Sequence, residues 1–253
     1  MRALITNDDG IDSLGLHALA EVAVTAGLDV VVAAPHTERS GASASLGAMR
    51  SDGRVLVEER LLYDLHQVKA YAVEGTPAYI TWAALRGAFG EAPALVLSGV
   101  NKGPNTGNAV LHSGTVGATL TGIAHGVPGL AVSLAAAAPE RWDTAKQVAG
   151  QVLEWLLGRA QLDPVVLNVN VPDVPMGRLR GIRSAPLASF GAVQADIAEV
   201  GEGFVTMTFS EIDVLAEPES DAALQLSGWA TVTALIGPAE VDGYPLDGLV
   251  DPG

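Results

Sequence analysis

The chain has no cysteine, which excludes disulfides, Cys-based zinc centres and thiol nucleophiles by inventory alone. Positive charge is also scarce: 14 Lys and Arg stand against 29 Asp and Glu, for a net charge of −15. That balance excludes a surface that tracks nucleic acid, which needs clustered basic residues to displace counterions. A small anionic ligand stays compatible, because local donors and a cation suffice to hold it. Residues 103–139 contain no Asp, Glu, Lys or Arg, yet Asn105, Asn108, His112, several Gly and Pro128 interrupt them. They read as buried loop, helix and strand, not as a membrane helix. Before Asn7 there is one Arg and only a few apolar residues, far short of a signal-peptide hydrophobic region. With the missing cysteines, this predicts a cytoplasmic protein with no membrane attachment. What is present is 49% hydrophobic residues and only 17% charged ones over 253 positions, the composition of a well-buried globular core.

Hydrophobic periodicity organises that core. Residues 3–5 form a short buried strand, and Asp12 or Ser13 caps a helix whose apolar positions Leu16, Leu19, Ala20, Ala23 and Val24 follow helical spacing until Gly27. Leu28 to Ala34 is an apolar run broken only by Asp29 near its start and ending at Pro35, as in a strand buried on both faces of a parallel sheet. The pair makes a β-α-β unit without a G-x-G-x-x-G loop, so a dinucleotide role loses its main support. Residues 54–58 and 67–73 alternate like strands added antiparallel at a sheet edge. Thr76 and Pro77 open a helix to about Phe89, residues 94–97 form the next strand, and Ser113 or Thr115 caps a further helix. Strands follow at 129–134 and 165–171, with a helix between at about 139–158. Beyond Pro172 the alternation ends; 203–209 and 229–235 read as strands of a β-rich extension. The expectation is a single α/β domain over 1–253, with its core at about 1–175. The extension covers 176–236 and suits packing on another subunit, and 237–253 reads as a flexible, poorly ordered tail.

The chemistry concentrates at strand exits. Thr6-Asn7-Asp8-Asp9-Gly10 leaves the first strand, and two adjacent carboxylates there favour a bound divalent cation, although the same residues also suit an ordinary turn. Ser40 and Ser43, in the loop after the second strand, open at the same carboxyl edge; they serve as ligands or as mere loop solubility. The loop 98–108 carries three Asn and three Gly on a backbone free to adopt positive φ, which suits close approach to a metal and a phosphate. His112-Ser113-Gly114-Thr115 then offers hydroxyls and backbone N–H groups at a helix start, the best anion cradle in the chain, to which Lys102 can add a point charge.

Together the motifs Thr6-Asn7-Asp8-Asp9-Gly10, Arg39-Ser40-Gly41-Ala42-Ser43, Gly75-Thr76-Pro77-Ala78, Ser98 to Gly107 and Ser113-Gly114-Thr115-Val116-Gly117-Ala118 resemble the SurE family of stationary-phase survival proteins, which act as metal-dependent 5'-nucleotidases. The resemblance spans roughly residues 1–135 and is specific because five motifs occur in order. It implies a Rossmann-like three-layer α/β/α core with a mostly parallel sheet and a C-terminal β-rich extension. It also implies hydrolysis of nucleoside monophosphates, with one Mg²⁺ or Mn²⁺ per subunit held by Asp8, Asp9, Ser40 and Asn101. Family members form homodimers or homotetramers through a C-terminal arm.

Asn7, Ser43, Asn105, Ser113, Gly114 and Thr115 are the candidates for positioning phosphate and substrate, since phosphoryl transfer is mostly placement and charge neutralisation. Asp8 and Asp9 are the catalytic candidates. Three roles stay open: water activated by the cation, Asp8 as general base, and Asp8 attacking phosphorus directly. Activity on 3'-nucleotides or polyphosphate, and a nucleotide sensor with little turnover, are the further alternatives. The family's Arg- and Tyr-containing segment reads Arg183-Ser184-Ala185-Pro186-Leu187 here, and its Thr-Asp-aromatic segment reads Ser220-Asp221-Ala222-Ala223-Leu224. These departures bear on oligomer geometry and base preference.

Overall fold

The computed structural model describes residues 1–47, 54–189, 193–201, 203–211 and 217–240. The expected tail falls mostly on residues 241–253, which lie outside the described residues. One nine-stranded sheet is built from β1 (Arg2–Thr6), β2 (Asp29–Pro35), β3 (Val57–Arg60), β4 (Lys69–Val73), β5 (Leu95–Lys102), β6 (Gly129–Ala135), β7 (Val166–Pro172), β8 (Ile182–Ser184) and β11 (Ala230–Leu235). Its order is β3-β4-β2-β1-β5-β6-β7-β11-β8. The six strands from β4 to β7 in that order are mutually parallel, while β3 and β11 run antiparallel to their neighbours β4 and β7. The chain starts at β1, builds outward through β2 and β4, then returns to the other side of β1 with β5. That reversal makes the β1–β5 boundary a topological switch point, where ligands of open α/β sheets bind beyond the carboxyl ends of the strands.

The period-two alternation of each strand divides the core into two faces. Ala3, Ile5, Val30 and Val32 face α1 (Leu14–Thr25) and α4 (Trp142–Leu157), whereas Leu4, Val31 and Val96 face α2 (Pro77–Ala84). α3 (Gly114–Ile123) covers Ala131 and Val166 beside α2. The result is the expected three-layer α/β arrangement. Ser13 caps α1 by accepting from the Leu16 N–H, and Thr76 caps α2 with Pro77 at the first helical position.

Several local expectations shift for identifiable reasons. Residues 67–73 contribute a parallel strand, and only β3 is the antiparallel edge strand. α2 stops at Ala84 because the chain turns through Gly87, at φ +84°, to bury Phe89 against Tyr71. α4 starts at Trp142 and not at Pro139, since the Asp173 carboxylate takes the N–H groups of Glu140 and Arg141 at 2.8–3.2 Å. β5 continues to Lys102, with an irregular register against β6 between Ser98 and Asn101. Such irregularities re-aim side chains at sheet rims. Gly99 sits there at φ +122°, and a Cβ on it would lie 2.2 Å from the Val132 carbonyl oxygen, so only glycine fits. In the C-terminal region, β9 (Val193–Gly201) and β10 (Phe204–Glu211) form a separate hairpin, and α5 (Asp221–Leu226) precedes β11. β8 and β11 extend the main sheet beyond β7.

Candidate active site

β1 delivers Asp8 and Asp9 to the switch point through a turn that Asn7 shapes. The buried Asn7 amide accepts from the Gly10 N–H at 3.1 Å and donates to the Ser13 hydroxyl at 2.6 Å, so both its ends are engaged within the turn. Asp8 is 5% exposed and lies against the first turn of α3. The Thr115 hydroxyl donates to Asp8 Oδ1 at 2.5 Å, and the Thr115 backbone N–H supports the same carboxylate. The positive end of α3 thus faces Asp8. Gly114 is in van der Waals contact with it: a Cβ there would lie 2.7 Å from Asp8 Oδ2. Asp9 Oδ2 accepts from the Lys102 N–H at 3.2 Å, which ties the β1 exit to the end of β5.

Neither carboxylate forms an ion pair with Lys or Arg among the described residues. Burial therefore pushes the Asp8 carboxyl above the usual carboxylate range, only partly offset by Thr115. Burial, with the Asp8 charge next to it, raises Asp9 to about 6. Glu38 adds further negative charge toward both. Such a cluster of hard oxygens, held ionised only with difficulty, fits a small divalent cation.

Asn101 suits the same ion. Its Nδ2 donates to the carbonyls of Lys102 and Gly103 at 3.0 and 2.8 Å, which fixes the amide and leaves Oδ1 without a protein donor among the described residues. The loop after β2 is drawn to the site by the Arg39 N–H, which donates to the Asp8 carbonyl at 2.7 Å. In that loop Ser40 is exposed and donates to Glu38 Oε1 at 2.6 Å, so its oxygen lone pairs stay available to a cation.

The remaining candidates divide. Ser113 is engaged as the N-cap of α3, accepting from the Val116 N–H at 3.1 Å. Ser43 donates to the Leu111 carbonyl at 2.6 Å and seats its loop on α3, where a Cβ at Gly117 would strike the Ser43 backbone. Thr115 serves Asp8, and the Gly114 N–H stays at the open end of the helix. Asn105 lies over the ends of β6 and β7. Its N–H donates to Asn170 Oδ1 at 2.7 Å and its Nδ2 to the Ser133 hydroxyl at 2.7 Å, while its carbonyl accepts from Asn168 and Asn170 at 2.8 and 2.9 Å.

Asn168, Asn170, Ser133, Glu38 and Asp221 lie outside the set of site residues to which the sequence points. Asn168 and Asn170 did carry a readable signal: two amides spaced by two in Leu167-Asn168-Val169-Asn170-Val171 share one face of a fully buried strand. Burying two amides is unfavourable unless both find partners.

The family model described as "Survival protein SurE" matches residues 3–192. The chain belongs to the SurE family. The "5'-nucleotidase SurE" of Laribacter hongkongensis is 42% identical over 181 residues, covering 72% of this chain and 69% of the relative. That of Heliobacterium modesticaldum is 38% identical over 189 residues, covering 75% and 68%. The crystal structure of the SurE protein from Aquifex aeolicus superimposes with a TM-score of 0.78 at 28% identity, covering 93% of both chains. The SurE fold thus extends well beyond the stretch that the sequence motifs span. Among the described residues, no helix is long and apolar enough to cross a membrane.

Proposed function

We propose that this SurE-family chain is a 5'-nucleotidase: a phosphomonoesterase that releases phosphate from nucleoside 5'-monophosphates with the help of one divalent cation, Mg²⁺ or Mn²⁺. The observation that carries the reading is the pair Asp8 and Asp9, both raised in pKa by burial, unpaired with any basic side chain among the described residues, and set at the switch point beside the start of α3. The relatives' shared name, 5'-nucleotidase, supports it.

Asp8, Asp9, Asn101 and Ser40 hold the cation in this reading. Bound there, it supplies positive charge toward the phosphoryl oxygens and a lowered water pKa. The chain's own groups do the rest. Thr115 favours the ionised form of Asp8 against the effect of burial and fixes its orientation. The Gly114 N–H at the open end of α3, the exposed Lys102 ammonium and the second proton of Asn105 Nδ2 are the donors for the remaining phosphate oxygens. Asn7, Ser43 and Ser113 act one step back, by shaping the turn, the loop and the helix start that present these groups. The β9–β10 hairpin, set apart from the main sheet, suits the arm of a homodimer or homotetramer, which light scattering tests directly. A cysteine-free chain suits the cytoplasm.

The test is phosphate release from AMP by the apo protein supplied with Mg²⁺, Mn²⁺ or EDTA. The reading expects turnover only with metal, and its loss in Asp9→Ala. Tight AMP binding without turnover would instead identify a sensor, and full activity in EDTA would refute the metal role.

A further inference from the structure

Asp221 opens α5, is completely buried, and forms no ion pair with Lys or Arg among the described residues. Backbone N–H groups take a cation's place. Oδ2 accepts from the Gly107 N–H at 2.9 Å, and Oδ1 accepts from Ala188 at 2.9 Å, from Ala222 at 2.8 Å and, at the longer distance of 3.2 Å, from Gly107 as well. Gly107 closes the site stretch only two residues after Asn105, which the amides of β7 and the Ser133 hydroxyl hold from the other side. The next residue, Asn108, donates its N–H to the Ala188 carbonyl at 3.1 Å and its amide to Ser189 at 2.9 Å. Ser189 in turn donates its N–H to Glu217 at 2.8 Å. Residues 188–189 lead into the β9–β10 hairpin and residues 217–221 lead out of it. Both stems of the hairpin are therefore knotted to the stretch 105–108.

We infer that Asp221 is a positioning residue of the phosphate site, acting through the Gly107 N–H to hold the Asn105–Asn108 stretch in place. The inference rests on the reading above that Asn105 faces the substrate phosphate. A carboxylate is needed for geometric reasons. Packing alone would be served as well by an apolar residue, because an uncompensated buried charge does not by itself stabilise a fold. Three N–H donors converge on the carboxylate, and the Gly107 N–H, which spans both oxygens, makes its shorter bond to Oδ2, the oxygen that no other donor occupies. Asp221→Asn keeps the shape and one oxygen, which can retain Ala188 and Ala222. It places an NH₂ group against the Gly107 N–H, donor against donor, and leaves that N–H only its longer, 3.2 Å approach to Oδ1. That variant releases the site stretch and leaves the helix cap made by Ser220 intact.

The experiment compares wild type, Asp221→Asn and Leu156→Ala in the full-length, Mn²⁺-loaded protein, with AMP as substrate. Leu156 is buried in α4, so its truncation lowers stability far from this stretch. In Asp221→Asn, KM rises about tenfold with kcat within roughly threefold, the pattern of lost substrate binding. Amide exchange accelerates at 105–108 and not in α4. Leu156→Ala keeps the wild-type KM. If Asp221→Asn does not fold, Asn108→Ala, which cuts the exposed tie to Ser189, carries the same expectation with a smaller rise. An unchanged KM or unchanged exchange at 105–108 in the folded variant overturns the inference, as does an equal KM rise in Leu156→Ala. An inactive wild type overturns the nucleotidase reading and the inference with it.

Discussion

Replacing Thr115 by Val removes one hydroxyl from a fully buried position and keeps the side chain's shape. The lost bond is the 2.5 Å contact to Asp8 Oδ1, in a carboxylate that is only 5% exposed. A hydrogen bond to a charged group contributes about 1.5–3 kcal/mol, and an abandoned buried acceptor adds its desolvation. For a chain of this size each kcal/mol moves Tm by about 2–4 °C, so the apo variant should melt roughly 6 °C below wild type. Without that donor the Asp8 pKa moves further up, and protonation relieves part of the loss. The Tm gap is therefore wider at pH 8 than at pH 5. A group that orients a metal ligand typically accounts for about 10–100-fold in affinity, so the Mn²⁺ Kd should rise by about that factor. Differential scanning calorimetry of the apo protein and calorimetric Mn²⁺ titration read both quantities. A variant with wild-type apo Tm and wild-type Mn²⁺ affinity but a raised KM for AMP would refute the reasoning. That result places the hydroxyl on the phosphate and not on Asp8.

Two further outcomes follow from the same carboxylates. Asp9 holds its proton more tightly when folded, with a pKa of about 6 against an ordinary 3.8. Its folded-state penalty is thus absent below about pH 4, grows as pH rises toward 6 and is constant above that; with solvent screening of this half-buried group it amounts to about 1–2 kcal/mol. The apo Tm of wild type minus that of Asp9→Asn should fall across pH 4–6, as thermal melts at stepped pH record, and saturating Mn²⁺ at pH 7 should reverse it. A difference independent of pH would contradict the raised pKa. Gly114→Ala places a Cβ 2.7 Å from Asp8 Oδ2, so the carboxylate must turn away. Metal-dependent turnover should drop by about a hundredfold, in line with the cost of a misplacement near 1 Å. The circular dichroism spectrum stays that of wild type, and a variant retaining full turnover would show that Asp8 tolerates the displacement.

The sequence revealed the parallel core well because those strands are continuous apolar runs and the caps Ser13, Thr76 and Ser113 are local signals. It also gathered the candidate residues at one edge of the sheet, since a β-α-β reading puts every strand exit on one side. What it missed depends on long-range geometry. Thr115 has the composition of a phosphate-binding helix start, and only packing shows that Asp8, 107 residues earlier, takes its hydroxyl. Asp221 reads as an acidic residue at a helix start, and its partner Gly107 is 114 residues away. α5 itself is six residues long, too short for a periodic signal. The direction of β4 is not legible either, because it depends on which neighbour the strand pairs with, here β2, and not on its own alternation.

The central claim is that Asp8 and Asp9 belong to a divalent-cation site that serves a phosphate. Calorimetric titration of the metal-stripped full chain with Mn²⁺ at pH 7, with and without AMP, tests it most directly. The account predicts one Mn²⁺ per subunit in wild type, tighter in the presence of AMP, and no detectable binding in the Asp8→Asn, Asp9→Asn double variant. Equal Mn²⁺ binding by the double variant, or no binding by wild type, would contradict it.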